Sequence, residues 1–465
     1  MAGALPESLA QIDPAAAWQV WEPSQTDPWN LKWAAHLYRR AAFGASWMQL
    51  QEAVKNGVAA TLTRLLAGQP GADDRERLVE RAGTAIASKD DADELRGWWI
   101  YLFLQSLHPL REKLTLFWHN HFATSIAKVN RTDLMFRQNC LLRRHALGKF
   151  QPFLLDISRD PAMLIWLDSN TNVKGAANEN YARELMELFT LGVGHYTEND
   201  VREAARAFTG WRTDGDEFEF AADLHDDADK TFLARRGRWN GDDVIRIILA
   251  RPDAARFVVR RLYHLLISES ENPPDALLEP LAQSFRQSDY DISLLLKSML
   301  SSRLFFSAHA YRKRIKSPVE FMLGILQGWS GVPPSALVSK LEAMGQSLFA
   351  PPNVKGWPGG KAWLNTATIL ARNTLARELA NNEAPQADGK KDHLGDSLLR
   401  NEKVTEPARA ANLLIDLHLQ GDIGKEARVK LTAFLAEGKP KGDAFYARVR
   451  EAVAVIWTMP EYQLA

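Results

Sequence analysis

Apolar residues recur at the spacing of amphipathic helices along most of this 465-residue chain. The pattern covers residues 31–70, residues 90–122 and the stretch from Asp242 to about residue 347. Between Trp211 and Trp239 it is replaced by a turn that is followed by alternating strand residues. We therefore predict a mainly α protein, a multi-helix orthogonal bundle with one small β-hairpin and a Gly/Pro/Trp-rich loop.

Capping and breaking residues divide the helical pattern into separate helices. Residues 31–70 are predicted to form two helices, and Pro109 separates two more within the next long pattern. Asn178 is a suitable N-cap for the helix that follows it. Thr197, with Asp200 three residues later, predicts a capping box at the start of the next helix.

Shifts in composition predict four regions along the chain. Residues 1–30, rich in Pro, Ala and Trp, form an N-terminal arm, and residues 31–375 form a helical core domain. Residues 376–400 are predicted to be a linker, because the polar stretch 384–395 has too few apolar residues to build a core. Residues 401–465 are predicted to form a C-terminal helical tail that packs on the core domain.

Composition excludes several classes of protein. The chain has 57 basic and 57 acidic residues, and this balance argues against nucleic-acid binding. No apolar run approaches the roughly 18–20 residues that a transmembrane helix needs. The N-terminus lacks the basic-then-apolar pattern of a signal peptide, so we expect a cytoplasmic protein, or a periplasmic or exported one if a signal was removed.

Cysteine usage narrows the chemistry further. Cys140 is the single cysteine, which excludes an intramolecular disulfide and a Cys-cluster zinc site. It is predicted to be a small buried apolar group rather than a nucleophile. The phosphate-loop, dinucleotide-binding, nucleophile-elbow and His-Glu-x-x-His motifs are all absent from the sequence.

Two imidazoles lie one residue apart in Trp118-His119-Asn120-His121-Phe122. Histidine is a common metal ligand and a common acid or base. On a regular helix, however, positions i and i+2 point about 200° apart, so His119 and His121 converge on one ion only in an extended or frayed segment. Otherwise one of them faces a pocket while the other satisfies a buried hydrogen bond.

The segment that follows Asn178 contains three glutamates and an arginine. Glu179, Arg183 and Glu187 are spaced four apart and predict an exposed ion-pair ladder. Glu184 lies instead at the edge of the apolar face that Tyr181 helps to form. Because a partly buried carboxylate requires a cation, a metal or a raised pKa, Glu184 is the best single carboxylate in the chain for a site.

A short segment after the predicted hairpin offers two more ligand types. His225 and Asp226 are common metal ligands, but they are equally common in solvated turns. Lys230 lies close enough in sequence to neutralise the aspartate instead.

The Gly/Pro/Trp-rich loop, residues 351–363, allows two interpretations. Its glycines permit positive φ angles, and Trp357 and Trp363 provide flat apolar surfaces. The loop is either a wall or lid of a pocket next to Lys355, or a buried plug in the helical core.

Together these stretches resemble a bacterial family catalogued as domain-of-unknown-function family 1800. The segments that carry the resemblance are His36–Gly44, Glu112-Lys113, Phe117–Phe122, Asp160–Leu164, Asn178–Gly194, Asp200–Trp211, His225-Asp226, Lys230, Lys316–Glu320 and Gly345–Gly360. Asp226-Asp227-Ala228-Asp229 departs from this pattern, where members often have a Gly-containing turn.

The resemblance implies a largely helical protein without a settled activity. Members often occur beside a second family that is similar to the alkaline phosphatase/sulfatase superfamily, which implies a sulfatase- or phosphatase-like protein partner. Many members look exported, an implication that the N-terminus of this chain does not support.

Two hypotheses about function follow. The first is a metal-dependent enzyme, a hydrolase or an oxidoreductase that uses Fe, Mn, Zn or Mg. Glu184 would be catalytic, and Arg183 or Lys355 would hold an anionic group of the substrate. The metal ligands would come from His119, His121, Glu184, His225 and Asp226. The substrate pocket would be lined by His36, Arg40, Asn178, Asn180, Tyr181, Trp211, Lys230, Trp357 and Trp363.

The second hypothesis is a non-catalytic helical scaffold, or a maturation partner of a sulfatase-like protein. In that case the same polar residues form buried hydrogen-bond networks that specify a unique core. A tightly packed His119 that donates to a backbone carbonyl, with Glu184 ion-paired to Arg39 or Arg40, favours the scaffold. An open pocket where His119, Glu184 and His225 meet favours the enzyme.

Overall fold

The computed structural model describes residues 5–327, 332–385 and 391–465, and helices account for most of them. The N-terminal helices are α1 (Pro14–Ala17), α2 (Leu31–Ala41), α3 (Trp47–Asn56), α4 (Val58–Ala67), α5 (Ala72–Ala87), α6 (Ala92–Gln105), α7 (Pro109–His121), α8 (Ile126–Val129) and α9 (Thr132–His145). The central helices are α10 (Phe150–Ser158), α11 (Pro161–Trp166), α12 (Asn180–Glu184), α13 (Glu198–Ala207), α14 (Gly241–Leu249), α15 (Pro252–Leu266), α16 (Asp275–Gln287), α17 (Ile292–Leu300) and α18 (Pro318–Leu326). The C-terminal helices are α19 (Ser335–Ala343), α20 (Thr366–Ala380), α21 (Ser397–Asn401), α22 (Pro407–Leu419), α23 (Lys425–Ala436), α24 (Asp443–Thr458) and α25 (Pro460–Gln463).

Strands occur as short antiparallel pairs. The predicted hairpin is confirmed, with β1 (Trp211–Asp214) paired to β2 (Glu217–Phe220) in the register Trp211 to Phe220. Two further pairs were not predicted: β3 (Lys230–Phe232) with β4 (Arg235–Gly237), and β5 (Glu383–Pro385) with β6 (Lys391–His393). These strands have three residues each, too few for an alternating pattern to be recognised in the sequence.

Several predicted boundaries differ from the structure. Residues 31–70 form three helices rather than two, because Gly57, with φ +84°, separates α3 from α4. The helix predicted after Asn178 begins at Asn180 and continues from Glu184 into a π-helical turn, Leu185–Thr190. The capping box of Thr197 with Asp200 is present at the start of α13.

The predicted linker contains regular structure. Residues 376–400 include the end of α20, the β5–β6 pair and most of α21, although residues 386–390 lie outside the described part. None of the helices described here combines the length and the apolar composition needed to cross a membrane.

The buried apolar side chains form two clusters, and α7 lies between them. The first contains Trp118 with side chains from the arm, from α2 and from helices α10 to α17. The second contains Trp99 with side chains from α18 to α20 and from the C-terminal helices, including Trp457. Because α7 packs against both clusters, its polar residues are drawn into the interior.

The Gly/Pro/Trp-rich loop is a plug in the second cluster, not an open lid. Trp357 and Trp363 are 5% and 6% exposed. The Trp357 backbone N–H donates to Asn120 Oδ1 at 2.6 Å, which anchors the loop to α7. Gly356, with φ +80°, makes this approach possible, since a Cβ there would lie closer than 3.0 Å to both the side chain and the carbonyl of Asn120.

We predict that Gly356→Ala destabilises the protein by about 3 kcal/mol or more. About 1–2 kcal/mol comes from the left-handed backbone, and the remainder comes from displacing the loop away from Asn120. Gly359→Ala is the matched control, because Gly359 has φ +69° but nothing within 4 Å of its Cβ position. Urea unfolding of both variants measures the difference, and equal losses would show that the contact with Asn120 contributes nothing.

Candidate functional site

His119 is enclosed by aromatic rings. It is 1% exposed and lies 5.3 Å from Trp99, 5.7 Å from Phe349 and 5.6 Å from Trp357, measured between ring centroids. Burial lowers the pKa of His119 to about 3, so the imidazole is neutral at physiological pH. Its Nε2 has no hydrogen-bond partner among the described residues.

His121 points into the other cluster. Its Nε2–H donates to the carbonyl of Phe189 at 3.1 Å, within the π-helical turn, and its ring lies beside Phe117 and Phe122. Burial, and then Arg261, lower the pKa of His121 well below its ordinary value. The two imidazoles of α7 therefore serve different cores, as expected for positions i and i+2 of a regular helix.

The loop between β2 and β3 is held by its own polar groups. His225 Nδ1–H donates to the carbonyl of Thr209 at 2.9 Å. Asp226 accepts from Arg206 Nε at 2.7 Å, and this hydrogen bond lowers the pKa of Asp226. The charge of Lys230 also lowers the pKa of Asp226, though less than Arg206 does, while its ammonium donates to the carbonyls of Asp226 and Ala228.

Glu184 and Lys355 are predicted catalytic residues that the structure brings near each other. Burial, and then Glu187, raise the pKa of Glu184, while Lys355 and Arg183 act in the opposite direction. Arg183 makes the predicted ion pair with Glu179 at 3.0 Å. Its other partner is Glu198, both of whose carboxylate oxygens accept at 2.8 Å, and not the predicted Glu187, which accepts from the Tyr196 hydroxyl. An anionic substrate group would have to displace Glu198 to reach this guanidinium.

The residues predicted to line a substrate pocket are distributed over several buried contacts instead. His36 Nε2–H donates to the carbonyl of Phe305 at 3.0 Å, and the Arg40 guanidinium donates to the carbonyl of Ala310. The Tyr181 hydroxyl donates to Ser158 Oγ.

Asn178, Asn180 and Trp211, also predicted to line the pocket, make structural contacts as well. Asn178 Oδ1 accepts from the backbone N–H of Asn180 at 2.9 Å, at the start of α12. Trp211 packs edge-to-face on Phe208 and Phe218, at 5.0 and 5.2 Å between ring centroids. These contacts hold local turns and packing in place.

The predicted metal ligands do not converge. His119, His121 and His225 have three different environments, and Asp226 is paired with Arg206. Across residues 5–327, 332–385 and 391–465, no group of three or more His, Cys, Asp or Glu side chains is arranged to hold a metal ion. Cys140 is buried, and burial raises its pKa, in keeping with an unreactive thiol.

The buried carboxylate of Glu320, with Lys113 and Arg314, forms a cluster of charged side chains that we call the ionic centre. No role was predicted for it from the sequence. The Glu320 carboxylate accepts from the Lys113 ammonium and from Arg314 Nη1, the latter at 3.1 Å, and from the Ser317 backbone N–H at 2.8 Å. Burial raises the pKa of Glu320, but Arg314 and Lys113 outweigh it and hold the pKa well below its usual range. The segments Glu112-Lys113 and Lys316–Glu320 are both part of the family resemblance. Because they lie about 200 positions apart, the sequence did not predict the contact between Lys113 and Glu320.

A second buried ion pair lies at the other face of α7. Arg143 Nε donates to Glu112 at 2.7 Å, and Arg143 Nη2 donates to Asn139 Oδ1 at 2.7 Å. Both members of the ion pair are 1% exposed. Glu112 and Lys113 are therefore both buried, and each forms an ion pair with a residue that is distant in the sequence.

We predict that Glu320→Gln destabilises the protein by about 3–5 kcal/mol at pH 7, because Lys113 is left buried without a carboxylate and Arg314 keeps only Glu269, at 3.9 Å. The folded-state pKa of Glu320 is depressed, so its contribution is present above its unfolded pKa of about 4.3 and is lost as the pH falls towards the folded value. Urea unfolding at pH 7 and at pH 4 or below measures this contribution.

The control is Glu378→Gln, which removes an exposed carboxylate paired with Lys340 at 2.5 Å. We expect a loss of only about 0–1 kcal/mol there. If both variants lose the same stability, the buried centre is not the stabilising feature described here.

We predict that Lys355→Met raises the pKa of Glu184 further, because the cation that opposes burial and Glu187 is removed. A raised folded-state pKa means that the charged form of Glu184 lowers the stability of the folded protein. Glu184→Gln is therefore expected to stabilise the protein near neutral pH and to leave its stability unchanged at low pH. Carboxyl NMR titration of the wild type and of Lys355→Met, with Lys361→Met as a control in the same loop, tests the proximity. An unchanged Glu184 titration in Lys355→Met would contradict it.

A family model described as "Protein of unknown function (DUF1800)" matches residues 36–464. The match extends through the ionic centre, the plug and the C-terminal helices. No curated protein and no solved structure matches the chain.

Proposed function

This chain belongs to the DUF1800 family, and we propose that it is a non-catalytic helical scaffold that binds a sulfatase- or phosphatase-like protein. One observation carries the proposal: the polar side chains of its distinctive segments are buried and bonded within the chain. His36, His121 and His225 each donate to a main-chain carbonyl. These bonds use the imidazole N–H groups to fix distant segments together rather than to face a substrate.

An enzyme of the predicted type needs its reactive groups around one accessible space. The neutral His119 is surrounded by rings, and His225 is held by Thr209 on a different loop. Glu184 and Lys355 lie near each other, and the other charged groups that shift the pKa of Glu184 are Glu187 and Arg183. A scaffold accounts for the buried hydrogen bonds of His36, His121 and His225, because such bonds define a unique packing of helices. His119 contributes ring packing, since its Nε2 has no partner among the described residues.

A groove of about 1250 Å³ along the N-terminal arm is the surface that best fits a protein partner. Val20, 64% exposed, and the half-buried ring of Tyr311 contribute apolar surface, and Lys32 adds a charge at the wall. The rings of Trp21, Trp33 and Phe306 line the groove but are largely buried. Aromatic surface bordered by polar groups is characteristic of the energetically important part of protein interfaces. The sulfatase- or phosphatase-like identity of the partner rests on the family's usual neighbour.

We predict that Val20→Glu weakens binding of the purified sulfatase-like neighbour at least tenfold, because it places a charge in the groove. Val20 lines the groove and is 64% exposed, so the change leaves the core intact. The control is Val429→Glu on α23, since Val429 is 67% exposed and does not line the groove. Calorimetric titration measures the affinity of the wild type and of both variants for the partner. If the wild type does not bind, or if both variants weaken binding equally, the proposal is contradicted.

Elemental analysis separates the scaffold from the metal-dependent enzyme. Purified wild-type protein, soaked with Fe, Mn, Zn and Mg and then desalted, is expected to retain no stoichiometric metal. His119→Ala and Glu184→Ala serve as comparisons, with circular dichroism to confirm folding. Near-stoichiometric metal in the wild type that is lost in both folded variants would replace the scaffold with the enzyme.

A further inference from the structure

A small cavity beside the ionic centre carries a separate inference. It has a volume of about 50 Å³, lies among α2, α18, α22, α24 and α25, and is lined by Arg39, Lys316, Glu320, His418, Trp457 and Tyr462. A single buried water needs on the order of 10–15 Å³ of such a cavity. The cavity therefore accommodates a group of a few non-hydrogen atoms.

Lys316 is the unusual side chain of this cavity. It is 4% exposed, and its ammonium lies 3.4 Å from the centroid of the Tyr462 ring. No carboxylate of the described residues lies within ion-pair distance of it. Burial, and then Arg39, lower the pKa of Lys316 well below its ordinary value. This lowered pKa favours the neutral amine, so an anion in the cavity would supply the opposite charge that keeps Lys316 protonated.

Glu320 contributes a carboxylate to the lining of the cavity, and several of the other polar groups there are donors. Arg39 is bonded only to neutral acceptors, the His418 carbonyl at 2.6 Å, Gln420 Oε1 at 3.0 Å and the Leu464 carbonyl at 3.5 Å. The Tyr462 hydroxyl has no hydrogen-bond partner in the described part of the chain. His418 Nδ1 accepts from Trp457 Nε1–H at 3.2 Å, which leaves its proton on Nε2.

The charge around the cavity is unbalanced. Among the described residues, six buried basic side chains lie close together there, and the carboxylates of Glu269 and Glu320 are the acidic groups that act on their pKa values most strongly. The six cations are Arg39, Arg40, Lys113, Arg314, Lys316 and Arg372. Glu320 is already shared between Lys113 and Arg314, so it is not available to neutralise Lys316 or Arg39.

We propose that this cavity binds one small oxyanion, held by Lys316 and Arg39 with the Tyr462 hydroxyl and His418 Nε2–H as further donors. An oxyanion of the phosphate, sulfate or carboxylate type matches a guanidinium and an ammonium in charge and in hydrogen-bond geometry. A cavity of about 50 Å³ limits the ligand to an anion of a few non-hydrogen atoms. The inference concerns a different site from the groove and does not depend on the proposed function.

Equilibrium dialysis of the full-length protein tests the site, with radiolabelled phosphate, sulfate and formate as separate probes in a chloride buffer. We expect saturable binding of at least one of them at one site per chain, weakened tenfold or more by Lys316→Met. The control is Lys230→Met, which also removes a buried ammonium but one that does not line the cavity. No saturable binding, or equal binding by wild type and Lys316→Met, would overturn the proposal.

Folding of the variants is followed by thermal unfolding in the same buffers. Lys316→Met is expected to fold, because a side chain of similar length replaces an unpaired buried charge. The bound anion should raise the melting temperature of the wild type but not that of Lys316→Met. If Lys316→Met does not fold, Tyr462→Phe decides, because it removes one donor and keeps the ring: binding weakened severalfold supports the site, and unchanged binding overturns it.

Discussion

The carboxylate of Glu320 is the interaction on which the centre of this protein depends. It joins Lys113 of α7 to Arg314 and to the capping residue Ser317 at the start of α18. The Lys113 ammonium also reaches the Arg39 carbonyl of α2 at 3.5 Å. Because two cations and a helix N-terminus share one buried anion, the arrangement of three helices follows from a single charge.

The position of α7 decides what its histidines do. Held by Glu320 on one side and by the Glu112–Arg143 pair on the other, the helix lies between two apolar clusters. Its regular geometry then directs His119 and His121 into opposite cores. Burial keeps both imidazoles neutral, and a neutral imidazole among aromatic rings serves well as a packing group with one hydrogen-bond donor.

The balance of charge in the whole chain conceals a strong local imbalance. Basic and acidic residues are equal in number, yet the interior around α2, α18 and α25 is rich in arginine and lysine and poor in carboxylates. Many cations in this interior donate to main-chain carbonyls, which satisfies their hydrogen bonds but not their charge. A small anion in the neighbouring cavity would supply that missing charge.

Features that depend on neighbouring residues were accessible from the sequence. The helical class, the hairpin at Trp211, the capping box at Thr197 and the divergence of His119 from His121 all follow from local periodicity or from helix geometry. The boundary at Gly57 was missed although a glycine is a local signal for a helix end, whereas the π-helical turn after Glu184 has no local signal in the sequence. The plug formed by Trp357 remained one of two alternatives until its burial was known.

The sequence by itself determined the fold class and the inventory of polar groups, because the spacing of apolar residues and the absence of cysteine pairs are visible along the chain. Only the tertiary structure decided which of those groups meet. The partners of Lys113, of His121 and of Trp357 lie between about 70 and 240 positions away. Hydrogen bonds and ion pairs act over a few ångströms in space whatever the separation along the chain, so no local pattern records them.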